Sequence, residues 1–387
     1  MVEPSGDRPA PDAAAHAPAT LYVCGITPYD ATHLGHAATY LAFDTLTRLW
    51  LDAGVDVHSV QNVTDVDDPL LERATATGVP WRALAAEQVE LFRSDMELLR
   101  IIPPTHLAAV TEHIPEIAAA VAALVDAGLG YTVDADIYFD TIAAEGGAWR
   151  LGTESRLDLD TMLTMSAERG GDPGRAGKRH PLDPLLWRGE REGEPHWDSV
   201  VGVGRPGWHV ECAAIAELFL GSPLTVQGGG SDLVFPHHEF TAAHTAALSG
   251  TQLAHAYVHT GMVAFEGEKM SKSLGNLVLV SELVGRGVDP RALRLALLAQ
   301  HYRSDWEWTP TVLTIAEQRL ARWNAWAAGG NTHDDGLFVD VLRGLIADDL
   351  GMPRAIAAID AHAAQSRASA LVLDAIDALL GIRLTEP

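Results

Sequence analysis

The chain has 387 residues, more than one small core requires and suited to two or three domains. Hydrophobic residues make up 47%, yet no apolar run approaches the roughly eighteen residues that a membrane-spanning helix needs. The formal net charge is −25, which opposes nonspecific binding to nucleic acid without excluding a local basic groove.

Residues 1–20 are rich in Ala, Pro and Asp and lack the basic and apolar regions of a secretory signal. They read as a disordered leader. Without an export signal and with only two cysteines, Cys24 and Cys212, the expected compartment is the reducing cytoplasm. Leu21 to Val23 suit a buried strand. Gly25 and Pro28 punctuate the turn that follows. Ala38, Leu41, Ala42, Leu46 and Leu49 then recur at helical spacing. A strand that turns into a helix N-terminus is where open α/β sheets bind phosphates, because free N–H groups and the helix dipole favour an anion. His33-Leu34-Gly35-His36 stands at that helix start, and Gly35 lets a flat base or sugar approach the backbone.

Val57 to Val60 reads as a second strand running into Asn62-Val63-Thr64-Asp65-Val66-Asp67-Asp68. Polar residues past a strand's carboxyl end line the ligand crevice. Asn62 and Thr64 are assigned to the ligand and the later acids to capping the helix near Pro69. Residues 80–127 carry helical periodicity, broken at Pro103-Pro104. From Tyr131 to Trp197 the pattern weakens, with short strand-like pieces such as Ile137 to Phe139, as an insertion between two halves of a nucleotide-binding sheet would show. Order returns at Gly204 to Cys212. Leu224 to Gln227 then forms a strand ahead of Gly228-Gly229-Gly230-Ser231-Asp232, where glycines permit close backbone approach to a ligand. Phe235 to Glu239 opens a helix, residues 257–264 form a strand, and from Glu282 the chain is mostly helical.

Cys24, Cys212 and one or two of His209, His237 and His238 fall at strand ends or helix starts of one sheet. Three such ligands make a zinc site with an open fourth position, although the cysteines read equally well as buried thiols. An open zinc position beside a nucleotide site implies a thiol substrate, since zinc prefers thiolate to a neutral hydroxyl and so separates cysteine from serine where size alone would not. Lysine occurs only at Lys178, Lys269 and Lys272, and two of the three share the run Lys269-Met270-Ser271-Lys272-Ser273. In a chain that otherwise uses Arg, such a pair indicates a need for compact ammonium groups. With His33 and His36 they suit a triphosphate, stabilising charge on the α-phosphate and on departing pyrophosphate as a carboxylate is converted to an acyl-adenylate.

These motifs resemble those of class I aminoacyl-tRNA synthetases. His33 to His36 resembles the HIGH signature and Lys269 to Ser273 the KMSKS signature. Cys24-Gly25, Gly204 to Cys212 and Phe235 to Glu239 are similar to the cysteinyl branch, which implies zinc ligands at Cys24, Cys212 and His237. Cys24 to Asp30 and Glu168-Arg169-Gly170-Gly171-Asp172-Pro173 resemble a closer group, the cysteine:glucosaminyl-inositol ligases of mycothiol biosynthesis. The synthetase's further zinc ligand is a glutamate four residues past the ligand histidine, and Thr241 stands there. The resemblance runs from Leu21 to Thr311 and more loosely to the end. It implies that His33, His36, Lys269 and Lys272 are catalytic. It implies that Cys24, Gly25, Ile26, Thr27, Thr39, Asn62, Val63, Thr64, Trp208, Gly230, Ser231, Asp232 and Val263 hold the adenylate. Trp208 reads on physical grounds as a core residue.

The expected fold is α/β, a Rossmann-like class I synthetase catalytic core with an inserted subdomain and a C-terminal helical bundle. After the leader, the core halves are expected over 21–130 and 201–265 around an insertion at 131–200. The KMSKS loop and stem-contact region takes 266–307 and the bundle 308–387. That bundle holds six Arg, no Lys and ten acidic residues, a net charge of −4, where a tRNA reader would be basic. The expected function is ATP-dependent ligation of L-cysteine to the amine of glucosaminyl-inositol through a cysteinyl-adenylate. The expected requirements are one Zn2+ per chain and ATP with Mg2+, and the chain is expected to be a monomer that binds neither membrane nor tRNA. The alternatives are a cysteinyl-tRNA synthetase or paralogue, and a non-catalytic zinc- and nucleotide-binding cysteine sensor. No general base for the amine is identifiable.

Overall fold

The computed structural model describes residues 17–29, 32–270, 275–330 and 335–384. Lys272, Ser271, Ser273 and most of the expected leader lie outside the described residues, as does the side chain of Lys269. The first half of the chain forms β1 (Ala19–Ile26), α1 (Leu34–Asp52), β2 (Val57–Val63), α2 (Asp68–Thr77), α3 (Trp81–Leu98), β3 (His106–Ala109) and α4 (Ile114–Asp126). β4 (Gly130–Val133), β5 (Asp136–Phe139), α5 (Leu159–Glu168), β6 (Leu185–Gly189) and β7 (Gly204–Pro206) follow. Next come α6 (Trp208–Phe219), β8 (Leu224–Gly230), α7 (Glu239–Ser249), β9 (Ala254–Thr260), β10 (Val263–Phe265) and β11 (Glu268–Lys269). The remainder is α8 (Val280–Gly285), α9 (Pro290–Leu298), β12 (Trp306–Glu307) and four helices, α10 (Pro310–Ala328), α11 (Gly336–Ala347), α12 (Met352–Gln365) and α13 (Ala370–Leu380).

The central sheet has the order β3-β2-β1-β8-β9, and all of its pairings are parallel. The order reverses between β1 and β8, so a crevice opens at their carboxyl ends, the place where doubly wound sheets bind ligands. Side chains of a strand alternate between faces. Leu21 and Val23 therefore enter one core with α1, α9 and the C-terminal helices, while Tyr22 and Cys24 enter another with α4, α6 and α7. Both faces of the sheet are covered, which is why β1 reads as a continuous apolar run.

Several elements differ from the sequence expectation. The strand expected over 257–264 is divided between β9 and β10, which lie in different sheets. β1 starts at Ala19, paired with Val57, so the last two residues assigned to the leader belong to the first strand. β3 lies inside the stretch expected to be helical, because Pro103-Pro104 ends one helix and the chain crosses the sheet edge before the next. Gly228 to Gly230 are the end of β8, not a loop after it. Gly228 has no room for a side chain, since a Cβ there would lie 2.3 Å from the Phe43 ring. Between β3 and β8 the chain forms a second, antiparallel sheet, β4-β5-β6-β7, with α5, and its end strands at Gly130 and Gly204–Pro206 fall outside the 131–200 expected for the insertion. α13 docks the C-terminal helices onto α1.

Candidate active site

The site begins at an irregularity in β1. Its register against β2 shifts between Val23 and Ile26, at Cys24-Gly25. Gly25 lies so close to β2 that a Cβ would fall 1.5 Å from the Asn62 carbonyl oxygen. The Gly25 N–H donates to Asn62 Oδ1 at 2.9 Å, and Asn62 Nδ2 donates to Thr64 Oγ1 at 3.0 Å. Asn62 and Thr64 thus direct these hydrogen bonds to the strand end. Asn62, Val63 and Thr64 stand behind the crevice wall and do not line it. Asp67 caps α2, as expected, its carboxylate accepting from the Asp68 N–H at 2.8 Å. Asp65 instead accepts from the Thr111 N–H and hydroxyl.

On the inner side, the ligand atoms of Cys24, Cys212 and His237 all lie within 4.8 Å of one another, and all three residues are buried. The cysteines come from β1 and α6, and the histidine from the irregular turn before α7. Of the three candidate histidines, His237 joins the cysteines. His238 Nε2 lies 3.3 Å from Cys24 Sγ, and His209 Nδ1 lies 3.0 Å from His237 Nδ1. Burial, with Cys212 beside it, pushes the Cys24 thiol well above its ordinary range. Burial, with His209 and His238 adjacent, holds His237 far below the usual imidazole value, in the neutral form that ligates metals. Two cysteines and a neutral imidazole match the donor set of a zinc site with one open position. Thr241 is not part of the cluster, and its hydroxyl donates to the His237 carbonyl at 2.7 Å. Sequence reading missed Gln227, whose Nε2 lies 3.3 Å from Cys24 Sγ, and His259, whose Nε2 lies 2.7 Å from His238 Nδ1.

On the outer side, α1 presents its N-terminus. His33 is its N-cap, Nδ1 accepting from the Gly35 N–H at 3.0 Å, and the His33 and His36 rings stack at 4.0 Å. A Cβ on Gly35 would come within 2.8 Å of the His33 ring, so the glycine makes room for this cap. One turn on, Thr39 Oγ1 lies 2.8 Å from Thr260 Oγ1 and ties α1 to β9.

Of these groups, Cys24, Gly25, His33, His36, Thr39 and His209 border one cavity of about 990 Å3, while Cys212 and His237 lie behind its wall. Of the expected adenylate residues, Cys24 to Thr27, Thr39, Trp208, Gly230, Asp232 and Val263 line it, as do His33 and His36. Ser231 does not. Trp208 is not a core residue: it is half-buried on the cavity wall, stacked on His237 at 4.4 Å. The far wall comes from the insertion, where Arg169 reaches across to donate to the carbonyls of Asp232 and Phe235. Among the described residues no helix is long and apolar enough to cross a membrane.

The sequence profile described as "tRNA synthetases class I (C) catalytic domain" matches residues 12–318. A protein of Clavibacter sepedonicus named L-cysteine:1D-myo-inositol 2-amino-2-deoxy-alpha-D-glucopyranoside ligase is 63% identical over 386 residues, covering 95% of this chain and 94% of its own. A Micrococcus luteus protein of the same name is 56% identical, covering 95% and 91%. Among solved structures, Mycobacterium tuberculosis methionyl-tRNA synthetase in complex with methionyl-adenylate aligns with a TM-score of 0.66 at 17% identity, over 90% of this chain and 82% of that one. A putative arginyl-tRNA synthetase from Campylobacter jejuni aligns at 0.59 and 14%, over 96% and 94%. At such identities the likeness concerns the fold, which is that of the class I synthetases. The chain belongs to the class I cysteinyl-type tRNA synthetase catalytic-domain family and, within it, to the group of L-cysteine:1D-myo-inositol 2-amino-2-deoxy-alpha-D-glucopyranoside ligases.

Proposed function

We propose that this chain joins L-cysteine to the amine of 1D-myo-inositol 2-amino-2-deoxy-alpha-D-glucopyranoside in mycothiol biosynthesis, using ATP with Mg2+ and passing through a cysteinyl-adenylate. The observation that carries this reading is the 63% identity to a ligase of that name over nearly the whole of both chains. In the first step the cysteine carboxylate attacks the α-phosphorus of ATP and pyrophosphate leaves. In the second, the sugar amine attacks the activated carbonyl, the C–O bond to AMP breaks, and the nitrogen gives up a proton as the amide forms.

Cys24, Cys212 and His237 fit a zinc ion, which when bound would supply a Lewis acid for the substrate thiolate and select cysteine over serine. Trp208, stacked on His237, closes the side of that pocket. The α1 N-terminus with His33 and His36 faces the phosphates, where fixed donors stabilise charge developing in the adenylation step. Lys269 and Lys272 are assigned to the same phosphates on the strength of their signature. Gly25, held by Asn62, and Gly230 leave flat backbone against which the adenylate lies. Asn62, Val63, Thr64 and Ser231 support that surface from behind. The protein acts in the cytoplasm, as a monomer.

The test is an acceptor comparison. Purified protein receives ATP, Mg2+ and cysteine with either the amino-sugar or tRNA, and products are identified by mass spectrometry. The amide without charged tRNA is expected. Cysteinyl-tRNA without the amide would make the chain a synthetase paralogue. Absence of any cysteine-dependent pyrophosphate release would make it a binding protein.

A further inference from the structure

At about 990 Å3 the cavity stands at the top of the range of roughly 300–1,000 Å3 for small-molecule sites, enough for two substrates side by side. Its two walls differ in chemistry. The wall carried by β1, α1 and β8 holds the residues assigned to the adenylate. The opposite wall is carried by β5 and the loop after α5, and it is a connected polar surface. Tyr138 donates to Asp172 Oδ2 at 2.5 Å and accepts from Arg175 at 2.8 Å. Arg175 also reaches Asp136 Oδ2 at 2.5 Å, and Lys178 reaches Asp172 Oδ1 at 2.7 Å. Asp136 and Lys178 are held inside, with side chains only 2% and 3% exposed, whereas that of Asp172 remains 42% exposed where it borders the cavity.

The pairing distinguishes what this wall can take. A phosphate site needs cations with charge to spare, and here Arg175 and Lys178 are each spent on a carboxylate. What remains is a rigid array of donors and acceptors, of the kind that fits the hydroxyls of a polyol and, at Asp172, an amine. The array is also fixed relative to the other wall. Arg169, three residues before Asp172, bonds the carbonyls of Asp232 and Phe235, and Asp232 borders the adenylate side. Gly171 permits the tight loop between them, since a Cβ there would meet Ser166 Oγ at 2.2 Å.

We propose that Asp136, Tyr138, Asp172, Arg175 and Lys178 form the acceptor subsite, with Asp172 touching the amino-sugar and Arg169 acting as a positioning residue that keeps the loop in register with the adenylate. The proposal rests on the ligase reading above. Its test uses the full-length protein and two reactions: cysteine-dependent ATP–pyrophosphate exchange, which reports adenylate formation alone, and amide synthesis with the amino-sugar varied. For Asp172→Asn, kcat/KM for the amino-sugar is expected to fall about tenfold to a hundredfold, mainly through KM, the loss expected for one charge-assisted hydrogen bond. Exchange should stay within about twofold of the parent. Tyr138→Phe, which removes one hydroxyl, should show the same split more weakly and substitutes if the first variant does not fold.

Equal loss of exchange and synthesis would overturn the subsite, since the wall would then only support the fold. Unchanged acceptor kinetics in both variants would overturn it as well. A parent protein that exchanges pyrophosphate but makes no amide would sink the ligase reading and the subsite with it. A parent that makes the amide, beside variants that do so equally well, would sink the subsite alone.

Discussion

Cys24 meets two demands at one position. Its backbone lies in the β1 irregularity, where its carbonyl accepts from Tyr40 at 3.3 Å, and its sulfur lies among Cys212, His237, His238 and Gln227. A serine there keeps the shape and loses the soft donor. On the proposed zinc assignment, Cys24→Ser and Cys212→Ser are each expected to bring bound zinc to near none where the parent carries about one per chain, read by metal analysis of protein purified without chelators. Full metal content in both variants would remove the assignment. His36→Asn is expected to slow pyrophosphate exchange about a hundredfold or more, the typical cost of one transition-state donor. Asp95 has no part in this chemistry. It is fully buried in α3 and its carboxylate oxygens have no hydrogen-bond partner among the described residues. Burial pushes its carboxyl up to about 7. The folded state then holds a proton that the unfolded chain releases near pH 4, so the stability tied to this proton is complete below about pH 4 and is lost as pH rises through about 7. Thermal unfolding should therefore show a fall in stability from pH 5 to 8 that is smaller in Asp95→Asn, and parallel profiles would refute it. At this scale the motif at His33 to His36 could be placed at a helix start because it is local in sequence. Gln227 and His259 could not be placed, because they meet Cys24 and His238 only after the strands have been laid side by side.

Elements decide where those side chains stand. β1, α1 and the crevice between β1 and β8 could be anticipated from apolar spacing and turn residues. The short strand β3 escaped because four residues after a proline pair carry too little periodicity to outweigh the helices on either side. Asn62 and Thr64, expected to face the ligand, bond the strand end here, because polarity at a strand end does not say which neighbour a side chain bonds. The backbone of Asn62 explains the demand for glycine at 25. With the Asn62 carbonyl 1.5 Å from where a Cβ would sit, Gly25→Ala must push β1 and β2 apart at the site. The expected cost is at least about 2–3 kcal/mol of stability, from strand displacement and a lost Gly25–Asn62 bond. Adenylate formation should fall with it. Asn62→Ala, which loses the bond without the clash, should cost about 1–3 kcal/mol, and denaturant unfolding of the two variants separates the terms. Equal stability of Gly25→Ala and the parent would mean that the strands separate freely here, and the close approach would have no role in setting the site.

The whole molecule is tied together away from the chemistry. Arg294 of α9 is buried with Asp44 of α1, their side chains 1% and 0% exposed, and it also donates to the carbonyls of Leu99 and Leu380. Burial alone would raise the Asp44 carboxyl. The Arg294 and Arg48 guanidiniums and the Ile102 N–H hold it below its ordinary value instead. That contribution is present above the unfolded carboxyl value and is lost as pH falls through the lower folded one. Arg48 and Arg100 extend the tie, donating to carbonyls of Asp377, Ala378 and Gly381 at the end of α13. The same core runs without a break from Leu21 on β1 to Leu384. The C-terminal helices are therefore part of the support for α1, and α1 carries His33 and His36. Their acidic composition, legible in the sequence, argued against a tRNA reader, but their docking was not legible, since Asp44 and Arg294 are 250 residues apart. Removing one partner of a buried pair leaves an uncompensated charge, so Asp44→Asn is expected to cost about 3–5 kcal/mol. A chain ending at Gln365 loses α13 and with it the carbonyls that Arg48, Arg100 and Arg294 reach at residues 377–381. It is expected to lose cysteine-dependent pyrophosphate exchange although every residue assigned to the adenylate is intact. A soluble 1–365 chain with undiminished exchange would show instead that α1 holds its catalytic end in place unaided.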